Sequence, residues 1–153
     1  MKNVEHSHSD ASQGCVLVVD DHPQLRQMLS LALETADFDV LESASVSTAE
    51  RWLRQPRLHA LVLDLQRAET HGLHVLRNLR ARGDLSELPI VFLAGRDTDD
   101  LRWKALEAGA DWFMLRPLSV IELQTRVSDL VRSGRPRLRA VASQRRLPRS
   151  LAG

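Results

Sequence analysis

Three short runs limit the fold more than anything else in the chain: "CVLVV" at 15–19, "ALVLD" at 60–64 and "PIVFL" at 89–93. Each is almost wholly aliphatic, without the apolar–polar alternation of a strand that has one wet face, so each reads as a strand covered on both sides. Strands of that kind lie in parallel sheets, and parallel neighbours need long crossovers, usually helical ones. The intervening segments supply them. Pro23 suits the first turn of a helix running to about Ala36, with Leu25, Met28, Leu29 and Leu33 at helical spacing. "FDVLES" is a second, shorter strand. "STAE", Ser47 to Glu50, has capping-box form and opens a helix with Trp52 and Leu53 that stops before Pro56. A helix follows Gly72, with Leu73, Leu76 and Leu79 on one side. Asp97, Thr98, Asp99 and Asp100 begin the next at its positive dipole end, and Gly109 ends it. "DWFML" is a fifth strand, and "SVIE", Ser119 to Glu122, caps a last helix carrying Ile121, Leu123, Val127 and Leu130. Five strands alternating with five helices, joined by right-handed crossovers, predict an α/β fold, a doubly wound five-stranded parallel sheet. No internal repeat is visible.

Charge divides the chain. Residues 1–131 hold all 20 acids and 14 of the 21 basic residues, a balance of −6, while the remainder holds seven arginines and no acid. The expected organisation is a disordered polar leader at 1–14, one folded domain at 15–132, and a disordered Arg-rich tail at 133–153. At 43% hydrophobic the chain can build a real core. The single cysteine, Cys15, begins an apolar run and reads as a small buried hydrophobe. No stretch approaches the roughly 20 apolar residues of a membrane span, and the leader has no hydrophobic signal region. The expectation is a cytoplasmic protein without a membrane partner.

Asp20 and Asp21 end the first strand and Asp64 ends the third. In open α/β sheets, ligands bind beyond the carboxyl ends of the strands where strand order reverses, and in the flavodoxin-like order 2-1-3-4-5 these two strands flank that point. Two unit charges about 4 Å apart repel by roughly 4 kcal/mol at an effective dielectric near 20. Three carboxylates without His or Cys suit a hard cation, and Mg²⁺ fits best because it keeps waters and bridges to phosphate. Taken singly, each Asp reads as a solvated strand-end cap; a doublet and a singlet on the two correct strands favour the cation.

These residues carry a resemblance. Over 15–132 the chain resembles the receiver domains of two-component response regulators, through "VLVVDDHPQLRQMLSLAL", through "LVLDL" with Gly72 eight residues after Asp64, and through "RDTDDLRWKALEAGADWFMLRPLSVIEL". The resemblance implies that Asp64 is the phosphoacceptor, taking a phosphoryl group from a histidine kinase or phosphotransfer protein. It implies that Asp20, Asp21, Asp64 and the backbone carbonyl of Gln66 hold the Mg²⁺. It also implies a cis Arg116–Pro117 bond.

The pattern breaks in places. Receivers carry Ser or Thr where this chain has Ala94, so the hydroxyl that bonds the phosphoryl oxygen is missing; Thr98, four residues on, is a weak substitute. Arg116 stands for the family's lysine, cationic but bulkier. Arg67 and Ala68 replace Met-Pro, and Phe113 keeps the aromatic switch position. Metal binding and phosphoryl transfer remain available, while switching is expected to be impaired. Two readings stand: a phosphorylatable receiver, or a pseudo-receiver that acts as a phosphorylation-independent interaction module.

Other functions find less support. No GxGxxG, P-loop or GxSxG is present, and Gln66 stands where a haloacid-dehalogenase phosphatase needs its second Asp, so an enzyme is not expected. His71 and His74, like His6 and His8, lack partners at zinc-ligand spacing and read as surface residues, while His22 lies at the rim of the acidic pair. The tail arginines have no interleaved aromatics, so they read as a solvated arm; as a nucleic-acid contact they would act through the tail alone. "RSGRPRLRA" resembles the linker of OmpR-type regulators, but only about 20 residues follow, which leaves a stand-alone receiver or a fragment. The fourth helix, fifth strand and fifth helix form the dimer face of OmpR-type receivers. Arg102, Glu122 and Arg126 match that face, Leu101 and Trp112 replace acids, and Trp103 and Trp112 are candidate partner contacts.

Overall fold

The structure, a computed structural model, describes residues 11–65, 69–95, 99–116 and 119–135, with only the backbone of Glu69, Thr70 and Asp99. The elements in chain order are β1 (Gly14–Asp20), α1 (Pro23–Thr35), β2 (Phe38–Ser43), α2 (Val46–Leu53), β3 (Leu58–Asp64), α3 (Glu69–Ala81), a single 3-10 turn (Gly83–Leu85), β4 (Ile90–Ala94), α4 (Asp99–Ala108), β5 (Trp112–Leu115) and α5 (Val120–Ser133). The five strands form one parallel sheet in the order β2-β1-β3-β4-β5. This is the flavodoxin-like arrangement the alternation of elements predicts.

The aliphatic strands are covered on both faces. On one side Val16, Val18, Val62 and Leu93 pack under Leu29 and Leu33 of α1 and Leu123 and Val127 of α5. On the other, Leu17, Val19, Leu61, Leu63 and Phe92 meet Leu53 of α2, Leu76 of α3 and Leu101 of α4. Each fully buried side chain of this kind contributes roughly 1.5–3 kcal/mol of transfer free energy, which explains why both sides of the sheet are sealed. Cys15 is buried, as expected of a small hydrophobe. None of the described helices is long and apolar enough to cross a membrane.

Three local expectations need correction. The N-cap of α2 is Ser45, whose Oγ accepts from Thr48 N at 3.2 Å, not Ser47. Serines alternate at 43, 45 and 47, so the box motif could be framed twice; Glu50, read as its far end, instead accepts from Arg82 at 2.9 Å. α3 already runs from Glu69, with Gly72 inside its first turn. A Cβ there would stand 3.0 Å from the Phe92 ring, so the bare Cα is what lets the helix lie against β4. Leu101, read as an interface residue in place of an acid, is buried in the core. By contrast, Ser119 caps α5 as predicted, accepting from Glu122 N at 3.2 Å.

Candidate functional site

β1 and β3 are neighbours, and their register sets Asp20 directly beside Asp64 at the carboxyl end of the sheet. Both side chains are buried, Asp64 to 1% exposure. Asp20 Oδ1 accepts from the backbone N–H of His22 at 2.8 Å, and its backbone carbonyl accepts from Arg26 Nη1 at 2.8 Å. Its Oδ2 is buried with no hydrogen-bond donor among the described residues. Arg116 brings the cation: Nη1 stands 3.6 Å from Asp64 Oδ1, an ion pair too long for a hydrogen bond. Its backbone N–H donates to Ala94 O at 2.9 Å, tying β5 to the end of β4.

Burial and like charge act together on these acids. Burial, then the adjacent Asp20 charge, push the Asp64 carboxyl up to about 7, with Arg116 pulling the other way. Asp20 is also raised, first by burial, against the His22 N–H that favours its ionised form. Half-exposed Asp21 adds like charge to both. A donor set of oxygens only, with a buried undonated Asp20 Oδ2 and excess negative charge, fits a hard divalent cation. Among the described residues, no group of three or more His, Cys, Asp or Glu side chains lies close enough to hold a metal ion, so Asp20, Asp21 and Asp64 do not form a ready-made cage. The carbonyl of Gln66, the expected fourth ligand, lies outside the described residues, as do Arg67, Ala68, Thr98 and Pro117 of the Arg116–Pro117 bond.

At the expected switch positions, Ala94 is a buried methyl at the end of β4. Phe113 is buried beside it, its ring stacked on Phe92 with centroids 6.2 Å apart and the Arg102 guanidinium 5.2 Å above. Of the expected interface residues, Arg102 and Glu122 are exposed, whereas Trp103, Trp112 and Arg126 are half-buried. Trp112 packs inward, and Arg126 covers its ring at 3.9 Å, so these two contact each other within the chain. His71 and His74 are exposed, and His74 pairs with Asn78 at 3.2 Å. A cleft of about 370 Å³ is lined by Asp21, Ser45, Ser47, Leu65, His71 and Val75, with neither Asp20 nor Asp64 in its wall.

Several contributors escaped the sequence reading. His22 caps α1, its Nδ1 accepting from Leu25 N at 3.3 Å; histidine is an uncommon cap, and only the following Pro23 hinted at it. Arg26 had no local signal at all. Gly95, adjacent to Ala94, lies against the Arg116 guanidinium.

Comparison with known proteins agrees with the fold. The family described as the response regulator receiver domain matches residues 16–128. The chain is 33% identical over 124 residues to a transcriptional regulatory protein described as probable, TcrX of Mycobacterium tuberculosis, covering 81% of this chain and 52% of that protein. It is 29% identical over 121 residues to the phosphate regulon transcriptional regulatory protein PhoB of Pseudomonas aeruginosa, covering 79% and 53%. The chain thus spans about half the length of the curated relatives it matches. Among solved structures, the signal receiver domain of a signal transduction histidine kinase from Syntrophus aciditrophicus superposes with a TM-score of 0.67 at 26% identity, over 77% of this chain and 89% of that one. The chemotaxis protein CheY4 of Vibrio cholerae, at 22% identity and a TM-score of 0.66 over 77% and 98%, shares the fold.

Proposed function

The chain belongs to the response regulator receiver domain family, and on that premise we propose that Asp64 is its phosphoacceptor. Receivers of this family interact with histidine kinases or phosphotransfer proteins. In the transfer, a carboxylate oxygen of Asp64 attacks the phosphorus of a phosphohistidine, the P–N bond breaks, and the imidazole leaves as a mixed anhydride forms on the aspartate. Asp20, Asp21 and Asp64, with the Gln66 carbonyl, would hold Mg²⁺, which when bound offsets the charge on the incoming phosphate. Arg116 supplies the fixed positive charge on the other side. The observation that carries this reading is the register pairing of two buried acids, Asp20 and Asp64, beside one arginine, with Asp64 raised to about 7.

Switching is the weaker half of the activity. Ala94 provides no hydroxyl, and a hydrogen bond to a charged group is worth roughly 1.5–3 kcal/mol, comparable with the gap between two switch states. The phosphate therefore biases the α4–β5–α5 surface only slightly. Through that surface, with Arg102, Trp103, Glu122 and Arg126 at hand, the receiver associates as a dimer. The test is incubation with a small phosphodonor and Mg²⁺. A mass gain of one phosphate that Asp64→Asn abolishes supports the proposal. No gain from the small donor or from any kinase would leave a phosphorylation-independent interaction module.

A further inference from the structure

Gly95 stands at a position where nothing in the backbone calls for glycine: its φ lies outside the left-handed region that favours glycine. What restricts it is space. Among the described residues, the three heavy atoms nearest a Cβ built there all belong to Arg116, with Nη2 at 2.9 Å, Cζ at 3.6 Å and Nε at 4.0 Å. Gly83 offers a contrast, since a Cβ there meets nothing within 4 Å. The Arg116 guanidinium thus points its Nη2 end at the space a side chain at 95 would fill, with Nη1 turned to Asp64 at 3.6 Å. Its Nε is buried without a hydrogen-bond acceptor among the described residues. A lysine, with one terminal nitrogen and no planar fork, would not need that surface.

From this contact we infer that Gly95 and Arg116 are a matched pair: Gly95 is a positioning residue for phosphoryl transfer, the seat that sets the arginine's forked cation against the phosphoacceptor. The inference rests on the phosphoacceptor reading and extends it. With Nη1 facing Asp64 and Nε lacking an acceptor among the described residues, the guanidinium has a donor for an oxygen of a phosphoryl group on Asp64, and planar two-point recognition of phosphate is what arginine does better than lysine. The arginine head is the far end of a flexible stem, so a methyl at 95 displaces the guanidinium and leaves the fold standing.

A double-mutant cycle on the full chain tests this, read as the initial rate of phosphate incorporation from phosphoramidate with Mg²⁺, with thermal melts alongside. Gly95→Ala should slow labelling at least tenfold with an unchanged melt. In the Arg116→Lys background the same Gly95→Ala change should alter the rate less than twofold, because the clashing nitrogen is gone. Should Gly95→Ala fail to fold, the Gly95→Ala/Arg116→Lys double variant should fold, the obstruction having been removed. An equal loss in both backgrounds, no loss in either, or a double variant that also fails to fold overturns the pairing while wild-type labelling leaves the phosphoacceptor reading intact. A wild type that takes no label overturns both.

Discussion

The sheet buries aspartate at both of its ends, and the two ends treat it in opposite ways. At the amino edge, Asp111, 3% exposed, accepts from Arg80 Nη2 at 2.8 Å, from Ile90 N at 2.8 Å and from Arg135 Nε at 2.9 Å. Arg80 also donates to the carbonyls of Gly109, Leu85 and Leu88 at 2.9, 2.9 and 2.6 Å. Burial lowers Arg80 to about 10, which still leaves it charged at neutral pH. At the carboxyl edge, Asp64 is equally buried, yet its cation stands 3.6 Å away and another acid lies beside it. Buried charge is tolerated when its partners are complete and is costly when they are not. The amino edge is therefore a staple joining α3, β4, β5 and the end of α5. The carboxyl edge gathers like charge beside one arginine, the arrangement on which the proposed cation and phosphoryl chemistry rests.

The sharpest way to break that comparison is to remove each acid. Asp111→Ala leaves Arg80 and Arg135 without their carboxylate and should cost about 3–5 kcal/mol in urea unfolding. Asp64→Asn should stabilise the metal-free protein, by on the order of 1 kcal/mol, because it relieves Asp20. Two losses of similar size would erase the distinction.

Next in size is the pH profile of the metal-free protein. Folded Asp64 holds its proton up to about 7, against about 4 for an unfolded aspartate, and Asp20 shifts in the same direction. A raised acid contributes stability below the unfolded value and loses it as pH rises through the folded one. Urea unfolding in EDTA should therefore show stability falling between about pH 4 and pH 7, by on the order of 3 kcal/mol. Asp64→Asn should flatten most of the slope, and millimolar Mg²⁺ should raise the melting temperature more at pH 8 than at pH 5. A wild-type profile that rises over this window would refute the assignment.

A smaller effect sharpens the amino edge. Arg135→Ala removes the Asp111 contact and a 2.6 Å bond to Ser86 O but leaves Arg80 in place, so a loss of about 1–3 kcal/mol is expected with phosphate uptake unchanged. The smallest concerns the α4–β5–α5 face. Arg126→Glu removes a cation–π contact with Trp112 worth about 0.5–1 kcal/mol at such a site, and should shift a dimer to monomer size on gel filtration. Equal elution of both proteins as monomers would remove that face from consideration.

What could be foreseen tracks the range of the interaction. The strands, their burial and the sheet order follow from runs of adjacent aliphatics and the spacing between them, because hydrophobic burial and helical period are written in neighbouring residues. The acids at 20, 21 and 64 were equally visible, since a strand's last residue is known once the strand is. Helix starts at Ser45 and Glu69 were harder: alternating serines offer two caps of similar merit, and a glycine inside a helix reads as a break until Phe92 is seen against it. Arg135 was assigned to a free tail by its composition, although it binds Asp111, 24 residues earlier.

The sequence by itself thus determined the α/β architecture, the two-faced core and the identity of the acids at the carboxyl ends of β1 and β3, all products of local pattern and hydrophobic period. Only the tertiary structure decided that Asp111 sits among two arginines and a backbone N–H while Asp64 sits beside a second acid with its arginine 3.6 Å away, and that Gly95 lies against Arg116. Whether a charge is matched depends on angstrom-scale distances between residues far apart in the chain, and no periodicity in the sequence records those.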